Sequence, residues 1–211
     1  MRDIPFFQTE NGVASLILHE VAYKQIAYVQ IQSFMQFESL LQECVDFCRA
    51  VGAEKVYATG SDLLNTYPLF TSIIEMRCLR DKIPCSSCNL VPVTKGLLEK
   101  WREIYNERMR NVPNAATITS QEADTQINAG AYFVYHDNVP VGIGKVSGNQ
   151  IDAVAAVVAG MGREVVSALC TVITGEVVCV EVATANSPAI RLYEAMGFVE
   201  TKEISAWYCV C

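Results

Sequence analysis

The stretch from Glu176 to Phe198, EVVCVEVATANSPAIRLYEAMGF, decides the fold class of this chain. It opens with Val177, Val178, Cys179, Val180 and Val182, a near-continuous apolar run that suits a strand buried on both faces of a sheet. Asn186 and Ser187 then offer side-chain oxygens that cap free backbone amides, and Pro188 fits the first helical position, where its missing donor is not needed. In the helix that follows, Ala189, Leu192, Tyr193 and Met196 fall at i, i+3, i+4 and i+7 on one apolar face, with Arg191 and Glu194 turned away. Gly197 ends the helix in the left-handed conformation and Phe198 anchors its exit in the core. The spacing therefore predicts strand, turn and helix in an α/β protein.

Immediately before this stretch, Ile151 to Val158 reads as a strand, and the chain then meets Gly160 and Gly162. A helical pattern follows, with Val165, Val166, Leu169, Val172 and Ile173 on one side and Gly175 at its end. Glycines let the backbone approach a ligand closely, and the free amides of a first helical turn point at whatever lies there. An anion gains roughly 0.3 to 1 kcal/mol from the helix dipole alone, so a pyrophosphate is the natural guest. Arg163, in that first turn, adds a charged contact. The pattern does not fit two better-known phosphate loops. The dinucleotide fingerprint wants a third glycine where Val165 stands, and no Gly-Lys-Ser/Thr ending is present.

Together these residues resemble the closing motif of the GCN5-related N-acetyltransferase (GNAT) superfamily, Asn-x-x-Ala-x-x-Leu-Tyr-x-x-x-Gly-Phe. Asn186, Ala189, Leu192, Tyr193, Gly197 and Phe198 match it position by position. The resemblance is specific over about residues 155 to 200 and implies a GNAT-like mixed central sheet flanked by helices, with acetyl-CoA as cosubstrate and no metal. It implies that Gly160, Met161, Gly162 and Arg163 receive the pyrophosphate. Backbone donors near Val157 and Val158 would hold the pantetheine arm where the parallel strands around Val158 and Val180 splay. It makes Tyr193 the general acid that protonates the departing sulfur and places Asn186 against the cofactor. The other reading of Tyr193 is a core tyrosine with its hydroxyl bonded to backbone. The family's loop usually reads Gln/Arg-x-x-Gly-x-Gly/Ala, and here Val157 stands at its first position.

The implied activity is transfer of an acetyl group to the primary amine of a small molecule or peptide. Glu181, the charged residue of the buried strand, is the candidate general base, because burial there would favour its protonated form. It would equally point into solvent at the sheet end. Asp152, Glu122, Asp124 and a water molecule are the alternatives. A second reading, motivated by Val157 and the unsettled base, is a catalytically silent acyl-CoA-binding or regulatory protein.

In the first half, Val13 to Leu18 and Tyr23 to Ile31 read as strands joined by a short turn. Phe37, Leu40, Leu41, Cys44, Cys48 and Val51 keep a helical period that Gly52 ends. Lys55 to Thr59 is a short strand, Gly60 to Phe70 a turn with a brief helix, and Thr71 to Arg80 a further strand. The order of elements repeats in the second half, so the chain reads as two related modules, residues 1–90 and 91–211. The join from Gln30 to Gln36 has no glycine pair, which makes the first module a degenerate copy with a structural or homodimer-forming role. Asp81 to Pro92, DKIPCSSCNLVP, reads as the linker. Beyond it come helices over Val93 to Arg110 and Ser120 to Asn128, then strands over Ala131 to Tyr135 and Val139 to Val146.

Composition bounds the rest. The chain has 211 residues, 51% apolar and 18% charged, enough for a real core and unlike a disordered chain. The net charge of -7 argues against a nucleic-acid partner. The start, MRDIPFFQTENG, lacks a secretory pattern, and no apolar run approaches the ~20 residues of a membrane span. A cytoplasmic protein without membrane partners is expected, its nine cysteines reduced. Cys85 and Cys88 form a CxxC, but a zinc site needs two further ligands, and His19 and His136 are single and far apart in sequence.

Overall fold

A computed structural model describes residues 3–127 and 130–211. Met1 and Arg2, and Asn128 at the end of an expected helix, lie outside the described residues. In chain order the strands are β1 (Ile4–Thr9), β2 (Gly12–Ile17), β3 (Ile26–Phe34), β4 (Lys55–Thr59), β5 (Leu69–Leu79), β6 (Asn89–Pro92), β7 (Ala131–His136), β8 (Val139–Ser147), β9 (Gln150–Ala156), β10 (Val177–Ala183) and β11 (Val199–Cys209). The helices are α1 (Val21–Lys24), α2 (Phe37–Ala50), α3 (Leu98–Met109), α4 (Ala123–Ile127), α5 (Gly162–Cys170) and α6 (Ser187–Ala195). The fold class is the expected mixed α/β.

Several boundaries differ from the sequence reading. Part of the expected strand over Tyr23 to Ile31 is α1, closed by Gln25 at φ 57°, and β3 begins only at Ile26. Asn89–Pro92, inside the expected linker, is an edge strand paired with β7, where the proline does not interrupt an interior ladder. The helix expected from Val93 starts at Leu98, and that expected from Ser120 is the short α4. The chain forms two compact units, residues up to Ile73 with Glu203–Cys211, and Ile74–Lys202.

In the first unit the strands run in the order β1, β2, β3, β4, followed by the C-terminal part of β11 and the start of β5. The apolar stripe of α2, including Phe37, Leu40, Leu41 and Cys44, packs with Ala27, Val29, Val56 and Ala58 of the strands. β3 and β4 are parallel and paired over their shared length, from Ile26 with Lys55 to Gln30 with Thr59. The turn into α2 is closed as well, because the Met35 and Gln36 amides both donate to the Asn11 carbonyl, at 2.8 and 3.2 Å.

In the second unit the order is the start of β11, then β5, β10, β9, β8, β7 and β6. Helices α5 and α6 share a core with β10 through Val165, Val166, Leu169, Val178, Val180 and Tyr193. Each such Val or Leu contributes roughly 1.5 to 3 kcal/mol on burial. Helix α5 lies close on β8 because Gly144 leaves room for it: a Cβ there would stand 2.2 Å from Leu169 Cδ1. Helices α3 and α4 form a separate core with β7 to β9 around Trp101, Ile127, Phe133 and Ile143. No helix among the described residues is long and apolar enough to cross a membrane.

Candidate active site

The site lies in the second unit, where β9 and β10 run parallel but hardly pair. Gln150 stands against Cys179 and Ile151 against Val180, and the Cys179 amide donates to the Asn149 carbonyl at 2.9 Å. No further register pair joins the two strands among the described residues, so they part toward Ala156 and Ala183. In the first unit the comparable pair, β3 and β4, stays joined over five positions, Ile26 to Gln30.

A one-residue slip fixes which groups face the opening. Val146 pairs with Ile151 but Lys145 pairs with Ala153, leaving Asp152 as the bulged residue of β9. Alternation then turns the polar groups of Ala153, Ala155 and Val157 toward β8, and those of Val154 and Ala156 toward β10. The bond from the Val157 amide to the Val141 carbonyl, 2.8 Å, agrees with this phase. The expectation that Val157 and Val158 are free donors therefore needs correction. Both amides point to Val141, the second at 3.4 Å, and by alternation the β9 amides turned toward β10 are those of Val154 and Ala156.

At the end of β9 the chain turns through Gly160, whose φ of +84° suits glycine and around which a Cβ would meet nothing within 4 Å. Met161 is the N-cap of α5 and makes no side-chain capping bond, which leaves the amides of the first turn to whatever approaches them. Gly162 faces Leu192, with 3.1 Å between a built Cβ and Leu192 Cδ2. Arg163 is exposed and has no hydrogen-bond or ion-pair partner among the described residues. Glu164 is turned to the 86–88 loop, where its carboxylate accepts from Ser86 Oγ at 3.0 Å and the Ser87 amide at 3.2 Å. From α3, Arg108 holds the Val157 carbonyl at 2.9 Å.

Asn186 caps α6 itself, its Oδ1 accepting from the Ala189 amide at 3.4 Å. Tyr193 is 6% exposed, its ring 5.5 Å from that of Phe198. Burial first, and the neighbouring Cys170 thiol second, push its pKa up to about 12. The phenol is thus fully protonated at neutral pH, but it gives up its proton less readily than an exposed tyrosine.

Glu181 is exposed, which removes the burial on which its reading as a desolvated base rested. It has no partner among the described residues. The other candidates are engaged: Asp152 accepts from Ser147 Oγ at 2.6 Å, and Glu122 accepts from the Thr119 amide and hydroxyl at 3.1 and 2.8 Å. Asp124 is exposed on α4.

Sequence reasoning missed Glu75 and Arg77. On β5 the core residues Ile74, Met76 and Cys78 face α5 and α6, so Glu75 and Arg77 lie on the other face, as Cys179 and Glu181 do on β10. Glu75 is 8% exposed and accepts from Arg77 Nε and Thr201 Oγ1, both at 2.8 Å, with Lys202 Nζ at 3.7 Å. The Arg77 bond first, and the Thr201 bond second, lower its pKa. The alternation Ile74-Glu75-Met76-Arg77-Cys78 carried this signal, but in the linear division it lay in the first module.

The 86–88 loop brings His136 close to the CxxC, with Nδ1 3.2 Å from Ser87 Oγ and 3.8 Å from Cys88 Sγ. Among the described residues no three potential ligands gather around a metal position.

Residues 156–208 match the sequence model of the family described as FR47-like protein. No curated protein matches the chain. Among solved structures, a GCN5-related N-acetyltransferase from Sphaerobacter thermophilus is similar with a TM-score of 0.58 at 13% identity, covering 93% of this chain and 76% of that one. A tandem GNAT protein from the clavulanic acid biosynthesis pathway covers 95% of this chain and 80% of its own, with a TM-score of 0.51 and 13% identity. A functionally unknown conserved protein from Staphylococcus epidermidis covers 96% and 91%, with a TM-score of 0.60 and 10% identity. At such identities the likeness is one of fold. The chain has the GNAT fold, and its FR47-like segment holds the glycine turn, α5, β10 and α6 that build the opening.

Proposed function

We propose that the second unit is an acetyl-CoA-dependent N-acetyltransferase acting on the primary amine of a small molecule or peptide. The observation that carries this reading is the parting of β9 and β10 beside the uncapped N-terminus of α5. The residues present fit the group. The first-turn amides of α5 and the free Arg163 side chain suit a pyrophosphate, the Val154 and Ala156 amides suit an amide-bearing arm, and Gly160 leaves the turn open. Acetyl-CoA supplies a thioester.

In the reaction the acceptor nitrogen bonds to the thioester carbonyl carbon and the C–S bond breaks. The proton lost by the amine passes to a base, and the departing thiolate takes one from an acid. Tyr193 Oη is the group we assign as acid. Exposed Glu181 or water takes the amine proton. Asn186 acts by fixing the start of α6, and so the placement of Tyr193, rather than by a free side chain.

Residues 1–90 and 91–211 are proposed as two related modules, the first without a cofactor site because its parallel strands stay paired and Asn11 fills the turn. A homodimer formed through the first module is proposed with it, and the oligomeric state by sedimentation decides that point.

The raised pKa of Tyr193 and the exposure of Glu181 favour the second reading, a protein that binds acyl-CoA without turnover. The two separate in one experiment: purified protein with acetyl-CoA and a panel of primary amines, followed by mass spectrometry of the products. N-acetylated product above the uncatalysed rate supports the enzyme. CoA binding without product supports the silent protein.

A further inference from the structure

A tethered arginine stands on the strand beside the opening. Arg77 donates through Nε to the nearly buried Glu75, which Thr201 and Lys202 also hold. Its side chain is 47% exposed, and its two terminal nitrogens have no partner among the described residues. A guanidinium anchored by Nε presents a planar pair of donors outward, the arrangement that matches a carboxylate. A surface ion pair alone would leave the fork free to swing, but Thr201 and Lys202 hold Glu75, and it in turn holds the fork.

Its position relates it to the opening. The Arg80 amide donates to the Glu176 carbonyl at 2.8 Å, and Arg77 lies close enough to Cys179 for its charge to act on that thiol. One index falls as the other rises, so β5 and β10 are antiparallel, and the same register sets Glu75 across from Glu181. Arg77 and Glu181 therefore share one face, opposite α5 and α6, on neighbouring strands. Glu181 is an open carboxylate suited to an ammonium, and it lies on β10 past the last residues paired with β9.

We propose that the acceptor is an amine that also bears a carboxylate, the carboxylate received by Arg77 and the ammonium directed toward Glu181 and the opening. This rests on the acetyltransferase reading and narrows its substrate class. Arg77 is a specificity-determining residue and Glu75 a positioning residue that acts through it.

The test uses the full chain, acetyl-CoA and matched acceptors: a set of α-amino acids and their carboxamides, which keep the shape and lose the charge. The acids are expected to exceed their amides in kcat/KM by about tenfold or more, the worth of one charge-assisted fork. Arg77→Met is expected to bring the ratio to near one by raising KM for the acids, and Arg77→Lys to restore part of the discrimination. Glu75→Gln should weaken discrimination less than Arg77→Met. A ratio that survives Arg77→Met, or amides preferred by the unmodified protein, overturns the proposal.

A second readout does not need turnover. N-acetylated amino acids are titrated into the protein with CoA present and followed by NMR. Binding that Arg77→Met abolishes supports the carboxylate site, and binding indifferent to Arg77 sinks it, as does no binding at all. Failure of the acetyltransferase reading shows separately, as absent turnover with every amine while this titration still reports on Arg77.

Discussion

Tyr193→Phe separates the chemical role of the phenol from its packing. The side chain is 6% exposed in the core of α5, α6 and β10, and its ring packs with Phe198. Phenylalanine keeps the ring, so the fold should lose no more than about 1 kcal/mol, a shift in Tm of roughly 2 to 4 °C for a chain of this size. If Tyr193 is the acid, turnover should fall by about 10²- to 10⁴-fold with acetyl-CoA affinity unchanged. The pKa of about 12 adds a second expectation. A thiol near 8.5 is more acidic than this phenol, so forming a free phenolate would be uphill by on the order of 5 kcal/mol at 1.36 kcal/mol per pKa unit. The buried phenol thus resists giving its proton to the departing sulfur, so the turnover of this variant decides between an acid and a core tyrosine. Because the folded pKa is raised, the acid stays protonated well above pH 10, so kcat should show no falling limb between pH 8 and 10. Stopped-flow acetyl transfer across that range, with thermal melts of both proteins, makes the check. Turnover unchanged in Tyr193→Phe would refute the role, leaving the residue a core tyrosine.

Two further perturbations test the scaffold. Gly144→Ala places a Cβ 2.2 Å from Leu169 Cδ1, a side chain with no exposed surface to swing into, and should destabilise by about 1 to 3 kcal/mol while weakening acetyl-CoA binding as α5 shifts. A melt equal to that of the unmodified protein would show the helix is not seated on that glycine. His19 is held by Glu20 first, against the opposing effect of burial, and then by Asp3, which together raise its pKa from 6.5 to about 9. A raised pKa contributes stability that is full below pH 6.5 and lost as pH climbs through 9. Denaturant midpoints should therefore fall over that window, and His19→Gln should flatten the slope.

The sequence was most legible where periodicity was strong. The buried run of β10, the capped helix α6 and the glycine turn into α5 all lie where the apolar spacing put them. What stayed hidden was geometry without a compositional trace. A single bulged residue at Asp152 shifts the phase of β9, so that Val157 turns to β8 while Val154 and Ala156 turn to β10, yet Ile151-Asp152-Ala153 reads as ordinary alternation. The edge strand β6 carries Pro92, which helped the segment read as a linker but is tolerated at a sheet edge. Sequence left Glu181 open between a buried base and a solvent-facing carboxylate; it is exposed, on the face away from α5 and α6. Arg77 could not be connected to the site from sequence, since nothing in the chain order tells that β5 neighbours β10.

The central claim is that the opening between β9 and β10, with the bare N-terminus of α5, receives acetyl-CoA. Calorimetric titration of acetyl-CoA into the unmodified protein, Gly162→Ala and Gly162→Glu tests it most directly. A carboxylate about 5 Å from a phosphate charge repels it by about 3 kcal/mol at an effective dielectric of 20, less when screened. Gly162→Glu should therefore weaken binding at least about tenfold. Gly162→Ala, whose Cβ meets only the mobile end of Leu192 at 3.1 Å, should bind nearly as well as the unmodified protein. Equal affinity in all three, or no binding to the unmodified chain, would contradict the assignment of this opening as the cofactor site.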